Sequence, residues 1–511
     1  MLFSRRYSKK PSPSQQFNDF VHQGQISSDL MENITEIQSV FCDTPDLIIR
    51  SLVIKQTQSQ AVLVYLSSIA DSKSIFNHVL HPLLFEDGQD INTEALNVSL
   101  GHIKKATSWQ QIERAILNGA CILFVEKQTE AYIYDTPDFP KRAIEDTTIE
   151  SSLTGAHIGF TETGSENIAL IRKQIHNREL KIKEITVGKR GQLQLSILYL
   201  ADVANPDVLR ELEYRIQKVN VDSVLNAGVL AEYIEDNPYS PFPQLLLTER
   251  PDYAAAEILQ GRFVTVVDRS PSVIIGPVTF DSFFKTIDDY SSRWMVASFI
   301  RLMRYFGFII AIFLPATYIA IITFHFEVIP LKLLLSIGSS REQIPFPPYI
   351  EAFIMELTLE MLREAGIRLP AKIGQTVGIV GGIVIGQAAV EAGIVSNIMV
   401  IVVALTAVAS FIIPNYEMGS AIRIVRFPMM ILASFFGFIG IIVGFMILLA
   451  HFIELESLGT PYGSPIAPLK ISDWKDLFIR FPQWAIERRP LGTKAIQMKK
   501  ANANHQKGDQ Q

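Results

Sequence analysis

Four uncharged runs crowd the second half of this chain of 511 residues. Residues 305–326, 373–390, 392–416 and 427–453 hold no Asp, Glu, Lys or Arg over 22, 18, 25 and 27 positions. A helix needs about 20 apolar residues to cross a bilayer core, so these are four candidate spans. A single run of this kind fits the core helix of a large soluble protein, whereas four in close succession fit a membrane domain. Whole-chain figures of 48% hydrophobic and 19% charged residues conceal the split, because the first 300 or so residues are mixed and charged.

The polar half alternates short β-branched runs with amphipathic stretches, which reads as α/β. "AVLVYLSSIADSKSIFNHVL" predicts a strand over 61–66, a polar break and a helix. "WQQIERAILNGACILFVEKQTEAYIYDT" predicts a helix ending at Gly119, where a C′ residue needs positive φ, and then strands over 121–125 and 131–135. Both phrases recur. "LSILYLADVANPDVLRELEYRIQ" (195–217) repeats the first, and "YAAAEILQGRFVTVVDRSPSVIIGP" (253–277) repeats the second, with Gly261 answering Gly119. Two related subdomains follow, at 41–140 and 181–282, joined by a linker over 141–180 and preceded by a disordered basic tail over 1–40. The fold class expected is an α/β soluble N-terminal half with two related subdomains, followed by an α-helical polytopic membrane domain.

Little in the polar half suggests chemistry. There is no phosphate-loop glycine–lysine signature, no HExxH, no paired CxxC and no strand-to-GxGxxG unit. His78 and His81 read as surface or capping residues, so no metal or cofactor is expected and the chain is not read as an enzyme. A net charge of −6 argues against a nucleic-acid partner, and Cys42 and Cys121 imply no disulfide framework. The start "MLFSRRYSKKPSPSQQ" lacks the apolar stretch of a signal peptide, leaving the membrane half to direct insertion.

In that half (283–456), Arg293, Arg301 and Arg304 precede the first span and place the polar half in the cytoplasm. A helix over 283–304 should lead into the membrane. Pro315 sits mid-span, where it frees a carbonyl and makes a possible hinge. Gly374, Gly378, Gly382 and Gly386 recur every four residues, a stripe for close helix packing, with Gln375 and Gln387 able to bond across helices. Past the last run, Trp474, Phe478, Phe481 and Trp484 suit an interfacial helix within 457–490, ahead of a basic tail over 491–511. From Lys470 onward nine Lys and Arg oppose four Asp and Glu, so the tail also reads as cytoplasmic. Both ends inside requires an even number of crossings. We read four plus an embedded or re-entrant helix; five would satisfy the arginines of the acidic helix but expel the tail.

The segments "FPPYIEAFIMELTLEMLREAGIRLP", "IGQTVGIVGGIVIGQAAVEAGIVS", "ASFIIPNYEMGSAIRIVRFP" and "ESLGTPYGSPIAP" resemble the A subunit of GerA-type spore germination receptors. "GPVTFDSFFKTIDDYSSRW" belongs to the same resemblance. It implies a polytopic protein of the inner spore membrane, working with a transporter-like B subunit and a lipoprotein C subunit. It further implies a homo-oligomer, a pentamer, that forms a nutrient-gated monovalent cation channel. A stage V sporulation paralogue, which amplifies ion release without sensing nutrient, fits the same residues.

The acidic segment "YIEAFIMELTLEMLREAGIRLP" (349–370) is the candidate ion path. At roughly 100° per residue, Glu356, Glu360 and Glu364 fall within about 80° of one another, and Glu351 lies nearly opposite Glu360. Charges facing lipid are costly, so the stripe should face a cavity or a partner. Lining a pore is one reading, pairing with Arg363, Arg368, Arg423 or Arg426 another. Glu351 is expected to be a cap or surface charge.

Overall fold

The computed structural model describes residues 25–85, 103–138 and 158–500. The first unit opens with helix α1 (Leu30–Val40) and carries strands β1 (Leu47–Val53), β2 (Gln60–Leu66), β3 (Ile103–Ala106), β4 (Cys121–Val125) and β5 (Ala131–Tyr134), with α2 (Trp109–Leu117) before β4. The second repeats it with α3 (Gly164–Gln174), β6 (Leu180–Val187), β7 (Leu193–Leu200), α4 (Pro206–Lys218), α5 (Ala227–Ile234), β8 (Leu246–Thr248), α6 (Pro251–Leu259), β9 (Phe263–Val267) and β10 (Val273–Gly276). The strand orders match, β1-β2-β4-β5-β3 and β6-β7-β9-β10-β8, and the pairings are antiparallel.

Both middle strands are wholly buried because they are covered on both faces. In β4, Ile122 and Phe124 meet the α1–α2 layer while Cys121, Leu123 and Val125 meet the helical segment around 75–83. In β9, Val264 and Val266 face one cluster and Phe263 and Val267 the other. The helix-to-strand turns match too. Gly119 and Gly261 take φ of +84° and +92°, the left-handed region where a side chain is strained.

The repeat is longer than the sequence reading made it. Residues 30–40, expected in a disordered tail, form α1, and residues 164–174, expected in the linker, form α3. Each helix starts on the same latch. Asn33 accepts from the Ser27 amide and donates to its carbonyl, while the Ser27 hydroxyl bonds Glu32. Asn167, Thr161 and Glu166 repeat these bonds. Residues 1–24, the middle of the linker (139–157) and 501–511 lie outside the described residues.

The helical half comprises α7 (Trp294–Phe324), α8 (Leu331–Arg341), α9 (Pro348–Arg368), α10 (Ala371–Glu391), α11 (Asn397–Phe411) and α12 (Tyr416–Glu454). The helix expected over 283–304 is broken, and the long rod starts only at Trp294. Helices α7 and α12 are long and apolar enough to cross a membrane. The last uncharged run, read as one span, is bent back on itself. Gly437 has φ +58° and ψ −136°, which splits α12 into limbs 416–436 and 438–454. Beyond the bend, Gly440 lies against the Leu432 carbonyl and Gly444 against Met429, so the limbs pack antiparallel. Gly437 abuts Phe324 and His325, placing the apex at the far end of α7. The first limb runs alongside α7, and the second returns past Phe313, whose ring is 5.9 Å from that of Phe445.

The segment after α12 comes back to the second unit. Ser457 Oγ donates to the Gln244 carbonyl (2.6 Å) and accepts from the Val278 amide (3.0 Å). The expected interfacial helix is absent; Trp474 and Trp484 sit on short 3-10 turns, both exposed. Within the expected basic tail, the Ile496 amide donates to the Val203 carbonyl.

Candidate functional site

The acidic helix α9 meets an arginine at every carboxylate. Glu351, expected to be a cap or surface charge, is fully buried. Its Oε1 lies 2.9 Å from Arg341 Nη2, and its Oε2 accepts from the Ser396 amide (3.1 Å) at the start of α11. Tyr318 on α7 completes the group, its hydroxyl 3.2 Å from that of Ser396. One turn and a half further on, Glu356 pairs with Arg426 of α12, and both are almost wholly buried.

Arg426 has a second partner that sequence logic anticipates in part. Pro315 has no N–H, so the carbonyl four residues earlier, that of Ala311, loses its helical donor. Arg426 Nε donates to that oxygen at 2.7 Å. The guanidinium thus ties together α7, α9 and α12, and Pro315 is the residue that makes the acceptor available. Burying two charges is costly unless further hydrogen bonds accompany the pair, and arginine, with its five donors, can serve a carboxylate and a carbonyl at once.

Further along the stripe the pairs become wetter. Glu360 bonds Arg363 on its own helix and faces Arg423 Nε at 3.4 Å. Glu364 pairs with Arg368, and its side chain is 58% exposed against 1% for Glu356. The three glutamates share one face as the wheel requires, yet the face passes from a packed interior to the surface. Their partners are the four arginines named as the pairing alternative.

The glycine stripe of α10 divides similarly. Gly374 lies against the Gly366 carbonyl, a contact no side chain would permit, so it closes the turn between α9 and α10. Gly386 is in ordinary contact with Val400, and Gly382 faces open space. The surroundings of Gly378 and Gln375 lie outside the described residues. Gln387 bonds Glu391 on its own helix rather than bonding across helices.

A second charged cluster joins the head to the helices. Arg301 and Arg304 read in sequence as orientation signals, but both are buried and Arg301 is completely so. Arg301 reaches Asp289 (3.2 Å) and Asp476 (2.7 Å), and Arg304 reaches Asp289 (2.8 Å) and the Phe284 carbonyl (2.8 Å). Tyr290 donates to Asp476 (2.7 Å), and Lys285 stands 3.5 Å from it. Burial alone would raise the Asp476 carboxyl, but Lys285, Arg301 and the Tyr290 hydroxyl outweigh it and hold the group down at about 2. Burial pushes the Tyr290 hydroxyl well above its ordinary value, with Asp476 adding to the rise. The sequence carried a weak signal for this cluster: two acids beside three arginines at the start of an apolar run. Asp476, nearly 180 residues away from Arg301, carried none.

Among the described residues no group of three His, Cys, Asp or Glu side chains is placed to hold a metal. What the geometry defines is an apolar helical protein with arginine–glutamate pairs in its core and a two-unit α/β head. Residues 35–491 match the family described as Bacillus/Clostridium GerA spore germination protein, and the chain belongs to that family. It is 41% identical over 469 residues to an uncharacterized membrane protein, YfkQ, of Bacillus subtilis, covering 91% of each chain. It is 39% identical to spore germination protein KA of the same organism, covering 91% of this chain and 87% of that one. With spore germination protein GerLA of Bacillus cereus the identity is 37%, over 91% of this chain and 96% of that one. The crystal structure of the N-terminal domain of the A subunit of the Bacillus megaterium spore germinant receptor GerK3 overlaps 50% of this chain and 98% of its own, at 25% identity and a TM-score of 0.39.

Proposed function

We propose that this protein is the A-type subunit of a spore germinant receptor and forms an oligomeric, nutrient-gated monovalent cation channel in the inner spore membrane. The observation that carries the reading is the stripe on α9, which runs from the buried Glu356–Arg426 pair to the exposed Glu364. Rings of carboxylates contributed by several copies would favour cations over anions. Glu360 and Glu364 are the better candidates for the ion path, because Glu356 is held by Arg426 and by packing. The open face at Gly382 suits a neighbouring copy, and a pentamer with transporter-like B and lipoprotein C partners follows from the family alone.

Helix directions support a multi-pass topology. Helix α7 leaves the head, α9 returns, α10 leaves, α11 returns, and the limbs of α12 leave and return. This favours six crossings over four, with no residue of α9 merely embedded. Both ends then fall on the cytoplasmic side, as the arginine bias requires. The test is ion flux through the purified, reconstituted protein, with Glu364→Lys and Glu360→Lys compared with the wild type. A channel lined by these residues loses cation preference in the variants. Zero conductance, alone and with its partner subunits, would support instead a passive scaffold for the nutrient-binding partner. Conductance without any nutrient response in the assembled complex would favour the amplifying paralogue.

A further inference from the structure

Between α9, the start of α10 and the end of α11 lies a cavity of about 380 Å³ that shares only Glu360 with the ion-path candidates. Its walls are apolar, from Leu359, Leu362, Ile367 and Phe411, and its polar lining is Glu360, Arg363, Ser410 and Arg426. It lies at the head side of the bundle. Ala409, one turn or less from its lining, abuts Gly307, and Gly307 is within a turn of Arg304, which bonds the head at Phe284. In a membrane this is the level where hydrocarbon gives way to headgroups.

The charges around it do not balance. Arg363, Arg423 and Arg426 share two carboxylates, Glu356 and Glu360, which leaves one positive charge over. Arg426 is 3% exposed and lines the cavity, yet its Nη2 has no hydrogen-bond partner, and neither has Arg363 Nε; Glu356 Oε1 is also unpartnered but belongs to the carboxylate Arg426 already pairs with. A buried donor without an acceptor is destabilising, and more so when it is charged. An anion with several acceptor oxygens would supply the missing charge and acceptors for these donors.

We propose that this cavity binds an anionic phospholipid, its phosphate accepted by Arg363 and Arg426 and an acyl chain lying along Leu359, Leu362 and Phe411. A basic recess between helices on the cytoplasmic side has the chemistry for this, and the apolar walls select lipid over free phosphate. The proposal rests on the membrane placement of α9–α12 and not on channel activity. Bound there, the phosphate competes with Glu356 and Glu360 for the same guanidinium groups, which ties lipid charge to the packing of the stripe.

The test uses the full chain purified in a neutral detergent and challenged with phosphatidylglycerol, phosphatidylcholine or inorganic phosphate, read by native mass spectrometry and thermal unfolding. Phosphatidylglycerol should be retained about tenfold more than phosphatidylcholine, the order expected for one or two charge-assisted bonds, and should alone raise the melting temperature. Arg363→Gln should lose the preference and Arg363→Lys keep most of it. Ala407→Phe, which fills the cavity without removing a charge, should exclude the lipid even if Arg363→Gln misfolds. Equal retention of the two lipids, an equal thermal shift from phosphate, or phosphatidylglycerol retention in Ala407→Phe would overturn the proposal. Since retention and not conductance is read, a protein that fails to conduct leaves this result intact, and one that conducts without the preference refutes only the lipid site.

Discussion

The two α/β units are twins in strand order and turn geometry, but they stand in different relations to the rest of the molecule. The hydrophobic clusters of the first unit are its own apart from Ala169, whereas one face of the second belongs to a cluster that continues into α7, α9, α11 and α12. The same position can be followed in each. In the first unit the Asp138 amide, just past β5, donates to the Ile69 carbonyl; in the second the donor to Val203 is Ile496, from the far end of the chain. Gly119 is closed over by Pro137 and Gly261 by Ala495. An element supplied locally in one twin is supplied by the tail in the other, so the second unit cannot be separated from the helices without opening its core. The first unit is attached by the bidentate pair of Arg172 with Asp46, by Arg178 with Glu113 and by the Ile182 amide bonding the Asp43 carbonyl. One twin is an anchor for the helical half, and the other is a free-standing module hung on the anchor.

The sharpest way to break this comparison is at Asp289. Asp289→Asn leaves Arg301 and Arg304 buried beside a neutral amide, and removing one partner of a buried pair costs about 3–5 kcal/mol. Thermal unfolding should show the second unit and the helices lost together while the first unit persists; independent melting of the second unit would contradict the shared core. Leu66 and Leu200 offer a matched pair, the same residue at twin positions on β2 and β7, both buried. Each change to Ala should cost about 2–5 kcal/mol. Hydrogen exchange should confine the effect of Leu66→Ala to the first unit and spread that of Leu200→Ala into α6 and α7. Equal spread in both variants would erase the distinction.

A smaller effect concerns acid. The Asp476 carboxyl sits at about 2, below its unfolded value, so the stability it gives is complete above roughly pH 4 and is lost as pH falls towards 2. That window corresponds to about 2 kcal/mol, read as increased proteolysis of the tail at low pH. Asp476→Asn should remove the pH dependence, and an unchanged profile would show that the tail is held by its other bonds. Least of all, Glu364→Gln should move stability by under about 0.5 kcal/mol, because its pair with Arg368 is exposed. A thermal loss beyond 1 kcal/mol or so would mean that Glu364 is buried by a neighbouring copy.

The sequence was legible where short-range chemistry decides. Strands 61–66, 121–125 and 131–135, the glycine turns and the repeat all follow from local periodicity, and the structure reproduces them within a residue. The latch that lengthens the repeat was also there to be read, as Glu-Asn-Ile at 32–34 and again at 166–168. The bend at Gly437 was not. An unbroken uncharged run carries no mark of reversal, and its glycine differs from Gly440 and Gly444 only in backbone conformation. Glu351 was misread for a related reason, since its partners Arg341 and Ser396 come from two other segments, and Tyr318, which bonds Ser396, from a third.

Composition and periodicity by themselves determined that one region of this protein is an apolar helical domain, that the region before it is a repeated α/β unit, and that three glutamates share a helical face. These properties depend on residues within a few turns of each other, where backbone geometry fixes what is adjacent. Only the tertiary structure decided which carboxylate is buried, which arginine serves it, and that the carbonyl freed by Pro315 is met by Arg426. Those outcomes depend on how helices far apart in the chain are brought together, and a buried charge has no stable place until its partner arrives.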